Sequence, residues 1–352
     1  MGKGKAASGV RLSPDVDPVE FCYEQGWSDG LPVVPPTPER VEAMLSTVQR
    51  DPHEVLGVFL PVGAEVTVEK VAINAVLAGC RPDYFPVVLT AVQCMADREG
   101  SLGGLLTTIH GDTPLLIING PVIKRLSFNG GVNTFGPGWR ANATVGRAIA
   151  LLMRNVSAGE PGRFDMATHT HPGKYTYCIA EFEEASPWPP FHVERGFGAQ
   201  ESTVTVVGAH GPHHVVDMAS TTAKGVLDTL ADTMAIKGTY NMYRGGEALV
   251  VLSPTHARVI ANDGWSKEDV KYYLWEKARK PLGKLRQGGY YKIGGVLYWP
   301  KWIDTEDDST MVPVVLRPQD VLVMVAGGEV GGYSSIILCF GMPATTRVIP
   351  EA

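Results

Sequence analysis

Apolar residues along this chain recur in short blocks of two kinds, which predict helices and strands in alternation. The segment after Thr67 has an apolar period of 3.6 residues, which predicts a helix that Thr67 caps and Gly79 ends. The run Val321–Ala326 is instead apolar throughout, as is typical of a strand buried on both faces. Because both kinds of block alternate along the chain, the pattern favours an α/β fold.

The full set of predicted elements gives mixed, layered sheets and helices. Strands are predicted at Leu31–Val34, Val55–Leu60, Leu105–Ile109, Leu115–Asn119, Tyr175–Phe182, Thr203–Ala209, Ala248–Leu252, Val321–Ala326 and Ile336–Phe340. Helices are predicted at Asp17–Gln25, Glu39–Val48, Val68–Ala78, Tyr84–Met95, Ala141–Asn155, Ala223–Ile236 and Lys267–Lys280.

Two parts of the chain resemble each other. Leu115–Pro121 and Ala248–Pro254 are both apolar strands that end in proline, and each is followed by an arginine and then by Gly-Trp before a helix. This repetition indicates either two related α/β halves or a chance recurrence of a common pattern. We therefore expect a flexible tail over 1–15, a first half over 16–200 and a second half over 201–352.

Composition and charge narrow the class of protein. The chain has 352 residues, of which 44% are hydrophobic, and a net charge of −6, which argues against a nucleic-acid partner. Its longest apolar runs are far below the ~20 residues that span a bilayer. No apolar segment follows the basic start, and the five scattered cysteines form no CxxC pair. We therefore expect a cytoplasmic protein with no signal peptide and no membrane contact.

Several phrases resemble an uncharacterised bacterial family. They are GWSDGLPVVPPT at Gly26–Thr37, AGCRP at Ala78–Pro82, GPGWRANA at Gly136–Ala143 and HPGKY at His171–Tyr175. In some relatives this region looks like the partner of UGSC-type thiol or selenol proteins. The resemblance implies an enzyme of small-molecule metabolism with a thiol or selenol protein as partner. The Cys/Sec-Gly-Ser-Cys motif is absent here, and Tyr333 stands where relatives carry a histidine.

Residues 165–214 form the densest group of reactive side chains. The segment holds six of the nine histidines, together with Cys178 and several glutamates. Imidazole, thiolate and carboxylate are ligands of divalent transition metals such as zinc. We predict His171, Cys178, Glu181 and His192 as metal ligands. Because no HExxH or CxxC spacing occurs, the same histidines are also compatible with a loop surface or a satisfied core.

The turn His171-Pro172-Gly173-Lys174 is a candidate catalytic element. Proline and glycine fix a tight turn, which would present His171 and Lys174 together for acid–base work with Glu184. The alternative is an ordinary turn with a solvated lysine.

Cys80 is the candidate nucleophile. It stands beside Arg81 and just before a predicted helix, where a thiol is expected to have a lowered pKa. The alternative is a small buried side chain, which is the commoner state of a free cysteine. Cys178, between Tyr177 and Ile179, fits that alternative as well as it fits a metal ligand.

The glycine-rich loop Asn119–Arg140 is a candidate binding element. Backbone amides freed by glycine and the helix start after Trp139 would hold an anion, with Asn119, Trp139, Arg140 and Asn142 as substrate-binding residues. No Walker A sequence is present, and a predicted strand follows the glycine-rich stretch Gly327–Gly332. The sequence therefore predicts no nucleotide cofactor.

Three functions are compatible with these patterns. The first is an enzyme of lyase or hydrolase type that cleaves a bond in a small, anionic metabolite, with His171, Lys174, His192 and Glu181 or Glu184 in one cavity, joined by Arg140. The second is a thiol-dependent oxidoreductase, or its subunit, that uses Cys80. The third is a non-catalytic small-molecule binding subunit. A homo-oligomer is expected in each case.

Overall fold

Two four-stranded mixed sheets lie face to face, with helices on their outer faces, which confirms the predicted α/β class. The computed structural model describes residues 9–97, 105, 107–293 and 298–351. The described strands are β1 (Val55–Phe59), β2 (Ala64–Thr67), β3 (Thr113–Asn119), β4 (Cys178–Ala180), β5 (Thr203–Ala209), β6 (His213–Val216), β7 (Ala248–Leu252), β8 (Arg279–Pro281), β9 (Met311–Pro313), β10 (Val321–Val325), β11 (Tyr333–Leu338) and β12 (Thr345–Val348).

Helices cover the outer faces of the two sheets. The described helices are α1 (Pro18–Glu24), α2 (Pro38–Leu45), α3 (Val68–Ala78), α4 (Phe85–Ala96), α5 (Val122–Leu126), α6 (Arg140–Val156), α7 (Phe191–Glu194), α8 (Ala223–Met234), α9 (Asn241–Arg244), α10 (Pro254–Asn262), α11 (Lys267–Lys277) and α12 (Leu282–Leu285). As predicted, the side chain of Thr67 caps α3 and Gly79 ends it in the left-handed region. No helix in the described ranges is long and apolar enough to cross a membrane.

The two large sheets have the same pattern of parallel and antiparallel pairs, but the edge strand comes last along the chain in the first sheet and first in the second. The first has the strand order β12–β5–β3–β4, and the second has the order β6–β11–β7–β10. Each sheet contains one parallel pair of strands, β3 with β4 in the first and β7 with β10 in the second. Helices connect the two strands of each pair along the chain. Each of β3 and β7 also pairs with an antiparallel neighbour, β5 and β11. The two segments that resemble each other in sequence therefore occupy equivalent places.

Alternate residues of the strands enter different apolar layers. Leu115 and Ile117 of β3 pack with Leu249 and Val251 of β7 in a layer between the two sheets. Leu116 of β3 instead joins the cluster of α3, α4 and α6, because successive side chains of a strand point to opposite faces. The other face of the second sheet packs on α8, α10 and α11. Both faces are buried, which explains why these strands show little polar alternation.

Three predicted strands differ from the structure. Leu31–Val34 forms no strand, since the prolines around it remove ladder donors. The described residues of Leu105–Ile109 contain no strand, and the predicted strand Tyr175–Phe182 is shortened to β4. The division of the chain at residue 200 stays a prediction; β5 and β12, which lie beyond that residue, belong to the first sheet.

Candidate metal centre

His110, Asp112 and His210 meet at one end of the first sheet. Asp112 immediately precedes β3, and His210 immediately follows β5. The antiparallel register pairs Thr113 with Ala209, so it sets Asp112 and His210 opposite each other. One potential ligand atom from each of the three residues lies within 4.8 Å of the other two. The backbone pairing of two strands therefore assembles this group.

The carboxylate of Asp112 lies between the two imidazoles. Its Oδ1 is 3.1 Å from Nε2 of His210, and its Oδ2 is 3.9 Å from Nδ1 of His110. The side chain of Asp112 is 0% exposed, yet neither oxygen has a hydrogen-bond partner among the described residues. A buried carboxylate that makes no well-formed hydrogen bond is costly. The arrangement is therefore suited to a cation that binds the carboxylate and both imidazoles.

Burial sets the protonation of all three groups. It raises the pKa of Asp112 to about 6, although the charge of His110, the backbone amide of Asp112 and the charge of Lys174 oppose that rise. Burial also lowers the pKa of His110 and of His210. Both imidazoles are therefore neutral near pH 7, the form in which histidine binds metals.

His171 and Lys174 lie beside this group. The His171 ring packs against Tyr177, with ring centroids 5.3 Å apart, and a Cβ at Gly211 would lie 3.1 Å from its Cγ. The Tyr177 hydroxyl donates to the carbonyl of His210 at 3.0 Å. The Nζ of Lys174 contacts the two oxygens of Asp165 at 2.6 and 2.8 Å. The predicted turn residues therefore lie near the His110–Asp112–His210 group.

Three cavities adjoin the group. One of about 430 Å³ is lined by Asp112, Asp165 and Lys174. A second, of about 480 Å³, is lined by His110 and His210. A third, of about 1000 Å³, shares the wall at His110 with the second. A small molecule entering these cavities would therefore meet members of the group.

Glu181 and His192 lie at the other end of the strands. Because β3 and β4 are parallel, residues before them and residues after them lie at opposite ends of the sheet. The seven residues of β3 span ~20 Å. The predicted convergence of His171 and Lys174 with Glu181 and His192 on one cavity is therefore wrong.

Glu181 belongs to a buried polar network. It accepts hydrogen bonds from Nδ2 of Asn119 and from the amide of Phe191, each at 2.6 Å. Nζ of Lys267 lies 3.7 Å from its other oxygen. His192 is buried beside this network, with Nε2 3.2 Å from the carbonyl oxygen of Gly198. These contacts link the first sheet to α11 of the second half.

Cys178 and Cys80 pack in the apolar layer beneath α3 and α6. Cys178 therefore does not meet the other three predicted metal ligands. Cys80 is 6% exposed, and its thiol donates to the carbonyl of Thr144 at 3.3 Å. Burial raises the pKa of Cys80 to about 12, and this outweighs the opposing effects of Thr144 and Arg140. The expected lowered pKa is wrong, because the thiol is desolvated instead of facing the helix end in solvent.

The other predicted site residues lie in α6, directly before it, or in the turn after β4. Arg140 donates to the carbonyl of Gly79 through Nε and Nη2. Asn142 is buried and bonds the backbone of Asn129 and Cys178. Trp139 is exposed. Glu184 is half-exposed and pairs with Lys124 at 2.6 Å. Binding and catalytic roles of these residues stay predictions.

No motif in the sequence marks His110 or Asp112 as site residues. The signal for them is short: His110-Gly111-Asp112 stands before one apolar strand, and Ala209-His210-Gly211 stands after another. These two segments come together only through the antiparallel pairing of the strands, which the sequence does not show. Neither the protein-family models nor the curated proteins compared with the chain contain a match.

Proposed function

We propose that this protein is a metal-dependent enzyme that cleaves a bond in a small, anionic metabolite, and that His110, Asp112 and His210 hold the ion. The observation that carries the proposal is the Asp112 carboxylate, which is fully buried beside two imidazoles and makes no well-formed hydrogen bond to the described residues. The proposed ligand set therefore replaces the predicted set of His171, Cys178, Glu181 and His192, of which only His171 lies beside the group.

The donor set favours a divalent transition metal such as zinc. Two imidazole nitrogens and one carboxylate oxygen are ligands that zinc takes in catalytic sites, where three protein ligands leave a position open. When bound, such an ion polarises a carbonyl or lowers the pKa of a water molecule. That chemistry suits a hydrolase or a lyase.

His171 and Lys174 supply the groups beside the ion. Burial lowers the pKa of His171, so the ring is neutral near pH 7 and able to accept a proton. Lys174 lines the cavity that Asp112 also lines, and Asp165 fixes its ammonium group. We assign proton transfer to His171 and the positioning of a substrate anion to Lys174.

The thiol-dependent alternative receives no support from the cysteines. All five are buried, and burial raises the pKa of both Cys80 and Cys178. A thiol or selenol protein as partner, a homo-oligomer and a cytoplasmic location remain expectations from the sequence. None of them is needed for the proposed metal centre.

Metal analysis of the purified protein tests the proposal. We expect one equivalent of zinc per chain after reconstitution, measured by plasma mass spectrometry and titration calorimetry. Mutation of residues that only support metal ligands costs ~10–100-fold in metal affinity. Asp112→Asn and His210→Ala remove proposed ligands, so each should lower zinc affinity by more than that. The control is His213→Ala, since His213 is an exposed histidine of the same cavity and lies outside the group.

The outcomes are distinct. Zinc binding that is lost in Asp112→Asn and retained in His213→Ala supports the proposal. Wild-type protein that binds no divalent transition metal overturns it. Unchanged affinity in Asp112→Asn, with the fold intact by circular dichroism, overturns it too.

A further inference from the structure

The largest of the three cavities is lined by aromatic rings that begin at the candidate metal centre. The ring of Tyr240 lies 4.6 Å from that of His110, between ring centroids, and 4.9 Å from that of Tyr290. Phe340 closes the wall at 4.2 Å from Tyr240. These rings form a continuous apolar surface from His110 into the 1000 Å³ cavity.

Arg244 lines the same cavity and lies against these rings. Its guanidinium carbon is 3.1 Å from the ring centroid of Tyr298, and 5.4 and 5.3 Å from those of Tyr240 and Tyr290. Its only side-chain hydrogen bond in the described ranges goes to the Tyr290 hydroxyl at 3.4 Å. Stacking on three rings therefore orients the guanidinium and leaves its other donors for a ligand.

The charge of Arg244 has no partner among the described residues. Its Nε is buried without a hydrogen-bond partner, and none of the ion pairs between described residues includes it. The other arginine of the cavity, Arg317, pairs with Asp320 at 2.6 Å. Glu247 on the same wall accepts the amide of Ala344 at 2.7 Å. Arg244 therefore differs from its charged neighbours, since they are already satisfied by the protein.

We infer that Arg244 binds the carboxylate of the substrate, and that the cavity takes a small carboxylic acid with a planar, unsaturated or aromatic body. Such a molecule would place its carboxylate on the guanidinium, its planar part along Tyr240 and Tyr290, and its other end at His110. Planar carboxylates match the fork of arginine. The part of the inference that places the reacting end of the ligand at His110 rests on the proposed function.

The charges in the cavity favour a carboxylate over a phosphate. Glu247 and Asp320 line the same wall, and a dianionic phosphate would be repelled by them more strongly than a monoanion. Burial raises the pKa of Glu247, which reduces its repulsion of a singly charged ligand. The cavity therefore suits a ligand with one negative charge.

Titration calorimetry with benzoate, benzamide and inorganic phosphate tests the inference. Loss of one charge-assisted hydrogen bond corresponds to about 10-fold or more in affinity. We expect benzoate to bind at least that much more tightly than benzamide or phosphate. Equal affinity for benzoate and benzamide, or tighter binding of phosphate, overturns the inference.

Two variants of Arg244 and a control variant of Arg317 test whether Arg244 binds the carboxylate. Arg244→Met should lose the preference for benzoate, and Arg244→Lys should restore part of it, because lysine keeps the charge. Arg317→Met, in the same cavity, should keep the wild-type preference. If Arg317→Met loses benzoate and Arg244→Met keeps it, the assignment to Arg244 is wrong.

The metal proposal can fail separately. The same titrations on Asp112→Asn and on protein stripped with a chelator measure carboxylate binding without the ion. Benzoate binding that persists there and depends on Arg244 supports the subsite, whether or not the metal centre is correct. Benzoate binding that never depends on Arg244 overturns the subsite and leaves the metal centre standing.

Discussion

Oδ1 of Asp112 lies 3.1 Å from Nε2 of His210, across the end of the ladder that joins β3 and β5. Neither residue lies within a strand, but each is adjacent to a register pair of that ladder. The distance between them is therefore set by backbone hydrogen bonds in the core of the first sheet. Rigid elements therefore hold these two candidate ligands in place.

Zinc should stabilise the folded protein through this group. A ligand that binds only the native state adds about 2.7 kcal/mol when its concentration is 100 times its dissociation constant. We expect the midpoint of thermal unfolding to rise with zinc in the wild type and in His213→Ala. No rise is expected in His210→Ala. An equal rise in His210→Ala would show that zinc binds elsewhere.

Removing one partner of the buried pair of Glu181 and Lys267 should cost far more stability than breaking an exposed pair. Removing one partner of a buried pair costs about 3–5 kcal/mol, because the other charge stays buried. Lys267→Met should therefore destabilise the protein by about that amount in urea unfolding. The double variant Glu181→Gln/Lys267→Met should recover most of the loss.

The control for this pair is Lys124→Met, which breaks the exposed contact with Glu184. Such pairs contribute under about 1 kcal/mol. If Lys124→Met and Lys267→Met lower the free energy of unfolding by the same amount, the network around Glu181 has no special role in stability.

Cys80 should react slowly in the folded protein. Its thiol is buried and has a raised pKa of about 12, and the thiolate is the form that alkylates. We expect iodoacetamide to label Cys80 far more slowly than a model thiol at pH 7.5, and at a similar rate in 6 M guanidinium. Native labelling as fast as that of glutathione, measured by peptide mass spectrometry, would restore the thiol-dependent alternative.

Asp217 should make stability fall in acid. Burial alone would raise its pKa, but hydrogen bonds from Ser220, Thr229 and Ala219 together lower it from 3.8 to about 2. A carboxylate with a lowered folded-state pKa stabilises the protein above its unfolded pKa, and this contribution is lost as the pH falls through the folded value. The contribution of Asp217 to stability should therefore be present above pH 4 and disappear towards pH 2.

The measurement is urea unfolding of wild type and Asp217→Asn from pH 2 to 7. The difference in their free energies of unfolding should be constant above pH 5 and shrink between pH 4 and 2. Asp232→Asn, on the exposed side of α8, is the control and should show no such change. A difference that stays constant down to pH 2 contradicts the assignment.

Local patterns predicted most elements of the fold. Thr203–Ala209 and Ala248–Leu252 are strands with the predicted bounds, because an apolar run between turn residues fits a doubly buried strand. Leu105–Ile109 has a similar composition, and no strand occurs in its described residues. Periodicity cannot separate a short apolar strand from other buried segments. The face-to-face packing of two sheets also left no signal in the sequence.

The candidate site was harder to predict, because closeness in sequence differs from closeness in the fold. His171 and Glu181 are near in the chain, but β4 lies between them and separates them. Asp112 and His210 are distant in the chain, and the register of two strands brings them together. Strand pairing is a long-range property that local residue patterns do not contain.

The position of β12 decides when the first sheet is completed during translation. This strand pairs with β5 at the edge of the first sheet, and Arg347 within it contacts Asp97 after α4 through two hydrogen bonds of 2.8 and 2.7 Å. Yet β12 follows every strand of the second sheet along the chain. The ribosome therefore delivers the edge of the first sheet only after it has made the whole second sheet. A nascent chain must keep the open edge of β5 from pairing with other chains until translation has passed residue 348.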